Sequence, residues 1–334
     1  MNRRSLLRAS LAAAALACAP LAAIGTVAAQ EYPNRTIRLI VPFPPGNASD
    51  VAARLISNKL QQRLGQPVVI ENRPGGSGIL GVQLVTGAEP DGHTLLVTSL
   101  SPMVLNPALF KTLPYDPTRD LAPVALLGFT GMMFVARNDV PANTIAEAVA
   151  LIKKNPAEFN SAHIGIGTLS QLSMEAFKLA LGLKMVAVPY KGSGQALTDM
   201  MGGNVTFMFD AMTSANALVK GGKVKALAVS TSKRSIFSPD TPTLRESGLA
   251  VLNDYDIAAW TALLAPGKTP KPIVDRLNKE LQAILDEPET KQAFEVAFLE
   301  PYPPMPPEGF AAFMRDELKK WDRIATETGV KGTL

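Results

Sequence analysis

Short β-branched runs alternate with segments of helical apolar period along most of this 334-residue chain. That rhythm restricts the chain to parallel or mixed sheets with helices packed on both faces. The pattern is clearest at its start. Thr36 to Val41 reads as a strand, Pro42, Pro44 and Pro45 as a stiff turn, and Gly46 leads into a polar helix start. Ser49 is placed to cap a helix over Ser49–Leu64, whose apolar residues Val51, Leu55, Ile56 and Leu60 recur at helical spacing. A strand that turns abruptly into a helix aims unpaired backbone N–H groups at one point, and the helix dipole adds partial positive charge there. Such a point suits a carboxylate. The same residues also read as an ordinary βα turn with a capping serine.

Further strands are expected at Val68–Glu71, Thr94–Thr98, Val124–Leu127, Met132–Arg137, Ala162–Ile166, Met185–Pro189, Val205–Asp210 and Lys225–Ser230. Helices are expected between them at Ile79–Gly87, Thr144–Lys154, Ser170–Leu181, Gln195–Met201 and Ser214–Lys220. Several strands are near-continuous apolar runs, the mark of a sheet covered on both faces. Trp260–Pro266 reads as one more strand, after which the chain turns helical at Ile273–Leu285, Glu289–Ala297 and Phe310–Thr326. The expected class is α/β in two lobes. One lobe takes residues 30–131 plus 255–334 and the other 132–254, with hinge crossings near Gly128–Met132 and Asn253–Ile257.

Residues 1–29 read as a secretory signal. Arg3, Arg4 and Arg8 make a basic start, an alanine-rich uncharged stretch follows, and Val27-Ala-Ala29 offers small residues for cleavage after Ala29. Arg3-Arg4 fits twin-arginine export, and a general secretory signal with an incidental arginine pair fits as well. Three of the 33 basic residues leave with the signal, so 30 face 29 acidic ones, and bulk charge argues for neither nucleic acid nor an anionic membrane. The single cysteine, Cys18, also lies in the signal, so neither a disulfide nor a thiol nucleophile is available to the exported chain.

Four loops follow strands and lead into helices or glycine turns: Pro42–Asp50, Asn72–Gly78, Ile166–Gln171 and Pro189–Gly194. Ligands of open α/β sheets bind beyond the carboxyl ends of strands, where such loops collect. Gly76-Ser-Gly78-Ile-Leu-Gly81 spells a dinucleotide fingerprint, but the acidic residue expected about 20 positions later is missing. There is no nucleophile elbow, Walker A sequence or HExxH pair. His93 and His163 have no metal partner at ligand spacing, so neither cofactor nor metal is expected. Asp210 ends a strand and has two readings, a salt bridge to a ligand amine or a cap for the next helix. Tyr190 and Lys191 offer a hydroxyl and a cation, and Trp260 reads as core or hinge packing.

Several ordered motifs match one family. They include Ile40-Val-Pro-Phe-Pro-Pro-Gly46 with Asp50 and Ala53-Arg54, Glu71-Asn-Arg-Pro-Gly75, Pro90-Asp-Gly-His-Thr-Leu-Leu96, Val188-Pro-Tyr-Lys-Gly192, and Ala196-Leu-Thr-Asp-Met-Met-Gly-Gly203. Over residues 31–330 the chain resembles the Bug-type periplasmic solute receptors, the extracytoplasmic component of tripartite tricarboxylate transporters. The resemblance implies a Venus-flytrap fold holding a small carboxylate ligand between its lobes by loop amides and water. It implies a grip of Phe43, Pro45, Gly46, Asn47 and Asp50, with Ser99 nearby, and on the other lobe Gly167, Thr168, Leu169, Ser170, Tyr190 and Asp210. Two positions depart from the family pattern: Gly46-Asn47 where paired glycines are usual, and Gln171 where a histidine is usual.

The expectation is a monomeric periplasmic receptor, without catalysis, that delivers a small carboxylate to membrane permease subunits. The alternatives are a receptor that reports its ligand to a sensor protein, and an enzyme on the same fold.

Overall fold

Ten strands join into one continuous sheet in the computed structural model, which describes residues 32–334. The expected signal and its cleavage point lie outside the described residues. Strands β1 (Ile37–Val41), β2 (Val68–Asn72) and β3 (Thr94–Ser99) run parallel, linked by helices α1 (Ala48–Leu64) and α2 (Ile79–Thr86). A π-helical turn at Ser101–Leu105 and the short helix α3 (Asn106–Leu109) follow β3.

Strand β4 (Leu121–Ala136) organises the rest. Over Leu121–Gly131 it pairs antiparallel with β9 (Ala258–Pro266). Over Met132–Ala136 it pairs antiparallel with β7 (Phe207–Ala211) and, from Met133, with β8 (Lys225–Val229). The two strands expected here, Val124–Leu127 and Met132–Arg137, are therefore one. The two glycines between those expected strands sit where neighbours press close. A Cβ on Gly128 would lie 3.0 Å from Phe294, and one on Gly131 3.0 Å from Thr231. Register shifts after Pro123 and Leu126 absorb the irregularity as bulges.

The second half of the sheet adds α4 (Ile145–Lys154), β5 (Asn160–His163), α5 (Leu169–Leu181), β6 (Val186–Pro189), α6 (Ser193–Met201) and α7 (Met212–Lys220), with β5 parallel to β6 and β7. Strand β5 starts and stops earlier than Ala162–Ile166, because Gly165 (φ 130°) and Gly167 (φ 75°) turn the chain out of the ladder. After β9 come α8 (Lys271–Asp286), α9 (Pro288–Val296), the two-residue β10 (Glu300–Pro301) on β4, and α10 (Pro307–Glu327). Ser230 ties the chain at Met132 to the chain at Ile257. Its hydroxyl accepts from Met132 N–H (2.8 Å) and donates to the Ile257 carbonyl (2.5 Å).

The core follows this plan. One buried cluster lies under α1 and α8, with Ile37, Leu39, Ile56, Leu277 and Leu281 fully enclosed. Another is methionine-rich, with Met133, Met200, Met208 and Met212 in the second half. A third runs between the halves from Leu96 and Leu105 through Phe134, Phe177 and Phe209 to Trp260, Phe310 and Trp321. Trp260 is thus core, as its sequence context suggests.

Strand direction positions the loops. Strand β3 is antiparallel to β9 and β9 to β4, so β1–β3 run with β4, and their carboxyl ends point toward its middle. Strand β7 opposes β4, with β5 and β6 parallel to β7, so their carboxyl ends point to the same region from the other side. Ser99 pairs with Thr261, which pairs with Gly128, while Ala211 pairs with Met132.

Candidate functional site

The turns before α1 and α5 are built alike. Each begins with a left-handed glycine, Gly46 (φ 85°) or Gly167 (φ 75°), a conformation costly for any residue with a Cβ. Each continues through an extended cap, Asn47 (φ −69°, ψ 155°) or Thr168 (φ −77°, ψ 155°). In each, the third helical residue reaches back to the glycine N–H: Asp50 Oδ2 accepts from Gly46 at 2.9 Å, and Gln171 Oε1 accepts from Gly167 at 2.7 Å. The next helical N–H groups have no carbonyl four residues earlier in the helix, which leaves them to a cap, to water or to a ligand.

The cap of α1 is Asn47, whose Oδ1 accepts from Ser49 N–H at 2.9 Å, and not Ser49 as expected. Asn47 wins because it occupies the extended position that a cap needs, while Ser49 is already helical. Ser49 is buried, and its hydroxyl is without a hydrogen-bond partner among the described residues.

Asp50 is a loop-holding group. Besides Gly46, its carboxylate accepts from Arg54 Nε (2.9 Å) and Nη2 (3.0 Å) and from Asn72 Nδ2 (2.9 Å). Burial pushes its pKa up, but the hydrogen bonds from Arg54, Gly46 and Asn72 outweigh this and hold it below the ordinary carboxylate value. Asn72 also donates to the Phe43 carbonyl (3.1 Å), which ties the first loop to the second. Phe43 is half-buried, Pro45, Gly46 and Asn47 are exposed, and Ser99 is half-buried at the end of β3.

Across the sheet, Thr168 Oγ1 donates to the Gly165 carbonyl (2.8 Å), and Ser170 Oγ donates to the Phe209 carbonyl of β7 (2.6 Å). Leu169 packs half-buried against the shared core. Tyr190 lies beyond β6, but its hydroxyl donates to Asp199 of α6 (2.9 Å), so it is committed within its own half. Lys191 is exposed. Asp210 is fully buried, and each of its carboxylate oxygens accepts a serine hydroxyl at 2.5 Å, Ser193 at the start of α6 and Ser214 in α7. Burial raises its pKa, opposed only in part by those serines and the Ala211 N–H. Neither helix takes a side-chain cap from it; Asp210 instead ties the two serine hydroxyls together at the carboxyl edge of β7.

A segment with no expected element, the one after β3, links the two sides. Ser101–Leu109 touches loops of both halves. Asn106 Nδ2 donates to the Ser77 carbonyl (3.0 Å), and a Cβ on Gly78 would lie 2.8 Å from Pro102 and 3.6 Å from Phe43. A Cβ on Gly167 would lie 2.8 Å from Leu109. The signal for this helical segment is Pro102 and Pro107, each in the first turn of its helix, where proline is well tolerated. The fingerprint glycines serve packing too, since a Cβ on Gly81 would meet Pro42 at 2.6 Å. Among the described residues no group of three or more His, Cys, Asp or Glu could hold a metal ion.

Known proteins share this architecture. The profile of the tripartite tricarboxylate transporter family receptor matches residues 52–330. Protein BugT of Bordetella pertussis is 34% identical over 306 residues, covering 91% of this chain and 93% of that protein. The solved structure of R. palustris Rpa4515 with adipate is 30% identical, with 90% and 99% of the two chains covered and a TM-score of 0.72. A TctC solute binding protein from Polaromonas, determined with no ligand, is 26% identical, with 89% and 99% covered and a TM-score of 0.79. The molecule has the two-lobed α/β fold of periplasmic binding proteins, each lobe a mixed sheet flanked by helices.

Proposed function

Because this chain belongs to the tripartite tricarboxylate transporter receptor family, we propose that it captures a small dicarboxylate between its lobes and surrenders it to a membrane permease. A member of that family is a solute-binding receptor for carboxylates and not an enzyme, and its place of work is the periplasm. On this reading the leader exports the chain, and the lobes divide at Gly131/Met132 and again near Asn253–Ile257.

The observation that carries the reading is the pair of matched turns at facing carboxyl edges. Each presents helix N–H groups and the positive end of a dipole, and an acid bridging both would favour the closed arrangement. In this proposal Phe43, Pro45, Gly46, Asn47 and Ser99 contact the ligand from one lobe, and Gly167, Thr168, Leu169 and Ser170 from the other. Asp50, Tyr190 and Asp210 hold these loops from behind. A dicarboxylate is preferred because the adipate-holding R. palustris relative is similar over nearly its whole length.

Calorimetry with adipate and shorter dicarboxylates tests the proposal. Saturable binding is expected, with a thermal-melt rise matching about 2.7 kcal/mol of added stability at a ligand concentration 100 times Kd. No heat and no melt shift with any dicarboxylate at millimolar concentration would reject the ligand class. Ligand uptake that persists in cells lacking a permease of this transporter family would reject delivery.

A further inference from the structure

The loop after β8 is anchored in one lobe and seated on the other. On the second lobe, Arg234 Nη2 pairs with Glu246 at 2.8 Å, and Asn216 of α7 donates to the Phe237 carbonyl at 3.3 Å. Its tip touches the first lobe. Ser235 Oγ donates to Glu300 Oε1 of β10 at 2.6 Å, and the Phe237 ring lies 5.1 Å from that of Phe298. Ser235 is 2% exposed. Phe298 takes a left-handed backbone (φ 55°), rare for an aromatic residue, and holds it where its ring meets Phe237. Beneath the loop lies a cavity of about 410 Å³, walled by Phe129, Trp260, Tyr302 and Phe313 of the first lobe and by Thr231 and Ile236 of the loop. None of the candidate ligand contacts lines it.

From this arrangement we infer that Ser232–Phe237 is a strap between the lobes that stabilises the open arrangement and must let go as they close. The inference rests on the two-lobe receptor reading above. The strap's base moves with the second lobe, so rotation about Gly131/Met132 shifts Ser235 and Phe237 against Glu300 and Phe298. Ser232 N–H also donates to Asp256 Oδ1 at 3.0 Å and the Ile236 N–H donates to the Glu300 carboxylate, so the two side-chain contacts at the tip are the part of its hold that substitution can remove. The described arrangement superposes better on the ligand-free Polaromonas receptor than on the adipate-holding relative, although the latter shares more sequence. Contacts made only in the open arrangement reduce the closed fraction and weaken apparent ligand affinity by that fraction.

The test uses spin labels on the exported chain at Gln83→Cys of α2 and Gln195→Cys of α6, both exposed, on helices that follow the facing edges. The described residues contain no cysteine to compete. In ligand-free protein, Ser235→Ala with Phe237→Ala is expected to enlarge the short-distance population, and to tighten adipate binding by roughly threefold. An unchanged distance distribution in the folded double variant overturns the strap, as does a shift to longer distances. If the double variant does not fold, Ser235→Ala alone removes one hydroxyl and is expected to produce a smaller shift in the same direction; no shift overturns the inference. Failure of the wild type to bind adipate would remove the ligand assignment, while the ligand-free distances still decide the strap.

Discussion

Gly46-Asn-Ala-Ser-Asp50 and Gly167-Thr-Leu-Ser-Gln171 are two solutions to one local problem. Both place a left-handed glycine before an extended cap, and both return a side chain from the third helical position to the glycine N–H. The chemistry behind them differs. The first turn is held by a buried carboxylate that also gathers Arg54 and Asn72, so it is charged and cross-linked to the neighbouring loop. The second is held by a neutral amide and by Ser170, which fastens the helix start to β7. Ser49, the positional counterpart of Ser170, is equally buried but makes no such bond among the described residues. One backbone geometry thus rests on electrostatics in one turn and on neutral hydrogen bonds in the other. The first should depend more on a single residue and on pH.

The largest expected effect separates the two by deletion. Asp50→Ala strips the acceptor from the Gly46 N–H and the Asn72 amide, and should cost about 2–3 kcal/mol in urea unfolding, in line with buried charge-assisted hydrogen bonds. Gln171→Ala removes one neutral bond and should cost about 1 kcal/mol. Equal costs would break the distinction. Next come substitutions at the turns themselves. Gly46→Val forces a β-branched residue into positive φ, and Ser170→Pro removes a helix-start N–H together with the bond to Phe209. Each should weaken ligand binding by about tenfold, near 1.4 kcal/mol, in protein that still melts cooperatively. Calorimetry showing wild-type affinity in either variant would remove that turn from the grip.

The two turns were unequally legible. The strand, the prolines and the apolar period of α1 marked the first, and Asp50 and Arg54 stood among the family motifs. No local pattern connects Asp50 to Asn72, 22 residues later, to which it is also bound. Asn47 stands where the family pattern has a glycine, and both it and Ser49, two positions later, are good cap residues, so local sequence does not choose between them. Strand β4 reads from its sequence as two strands, Val124–Leu127 and Met132–Arg137, while the neighbours that press on the glycines between them, Phe294 and Thr231, come from distant sequence. Helical and strand periods report burial on one element at a time. Pairings such as Ser235 with Glu300 depend on how the elements assemble, and no period encodes them.

A smaller effect contrasts the acids behind the turns. The folded pKa of Asp50 lies below its ordinary 3.8, so the stability it contributes is present above that value and is lost as pH falls through the folded pKa. The folded pKa of Asp210 lies above 3.8, so its contribution is full below that value and is lost as pH rises through the folded pKa. The cost of Asp50→Asn should therefore shrink on acidification below 3.8, whereas the cost of Asp210→Asn should be greatest in acid and shrink toward neutrality. Urea midpoints of both variants across the acid range check the signs, and parallel curves would show that the two carboxylates do not differ in this way.

The smallest effect compares the glycines directly. Alanine at either position must adopt positive φ, at a cost of about 1 kcal/mol. Around Gly46 an added methyl meets nothing within 4 Å, whereas at Gly167 it meets Leu109 Cδ1 at 2.8 Å. That atom is the end of a flexible side chain and can rotate away, so Gly167→Ala should be the worse of the pair by only a few tenths of a kcal/mol. Leu109 ends α3, so its displacement should also loosen the contact between α3 and the second turn. Truncating the neighbour resolves the two contributions: in a Leu109→Ala background the two glycine variants should cost the same. A difference that survives there would place the asymmetry in the backbone of the turns and not in what surrounds them.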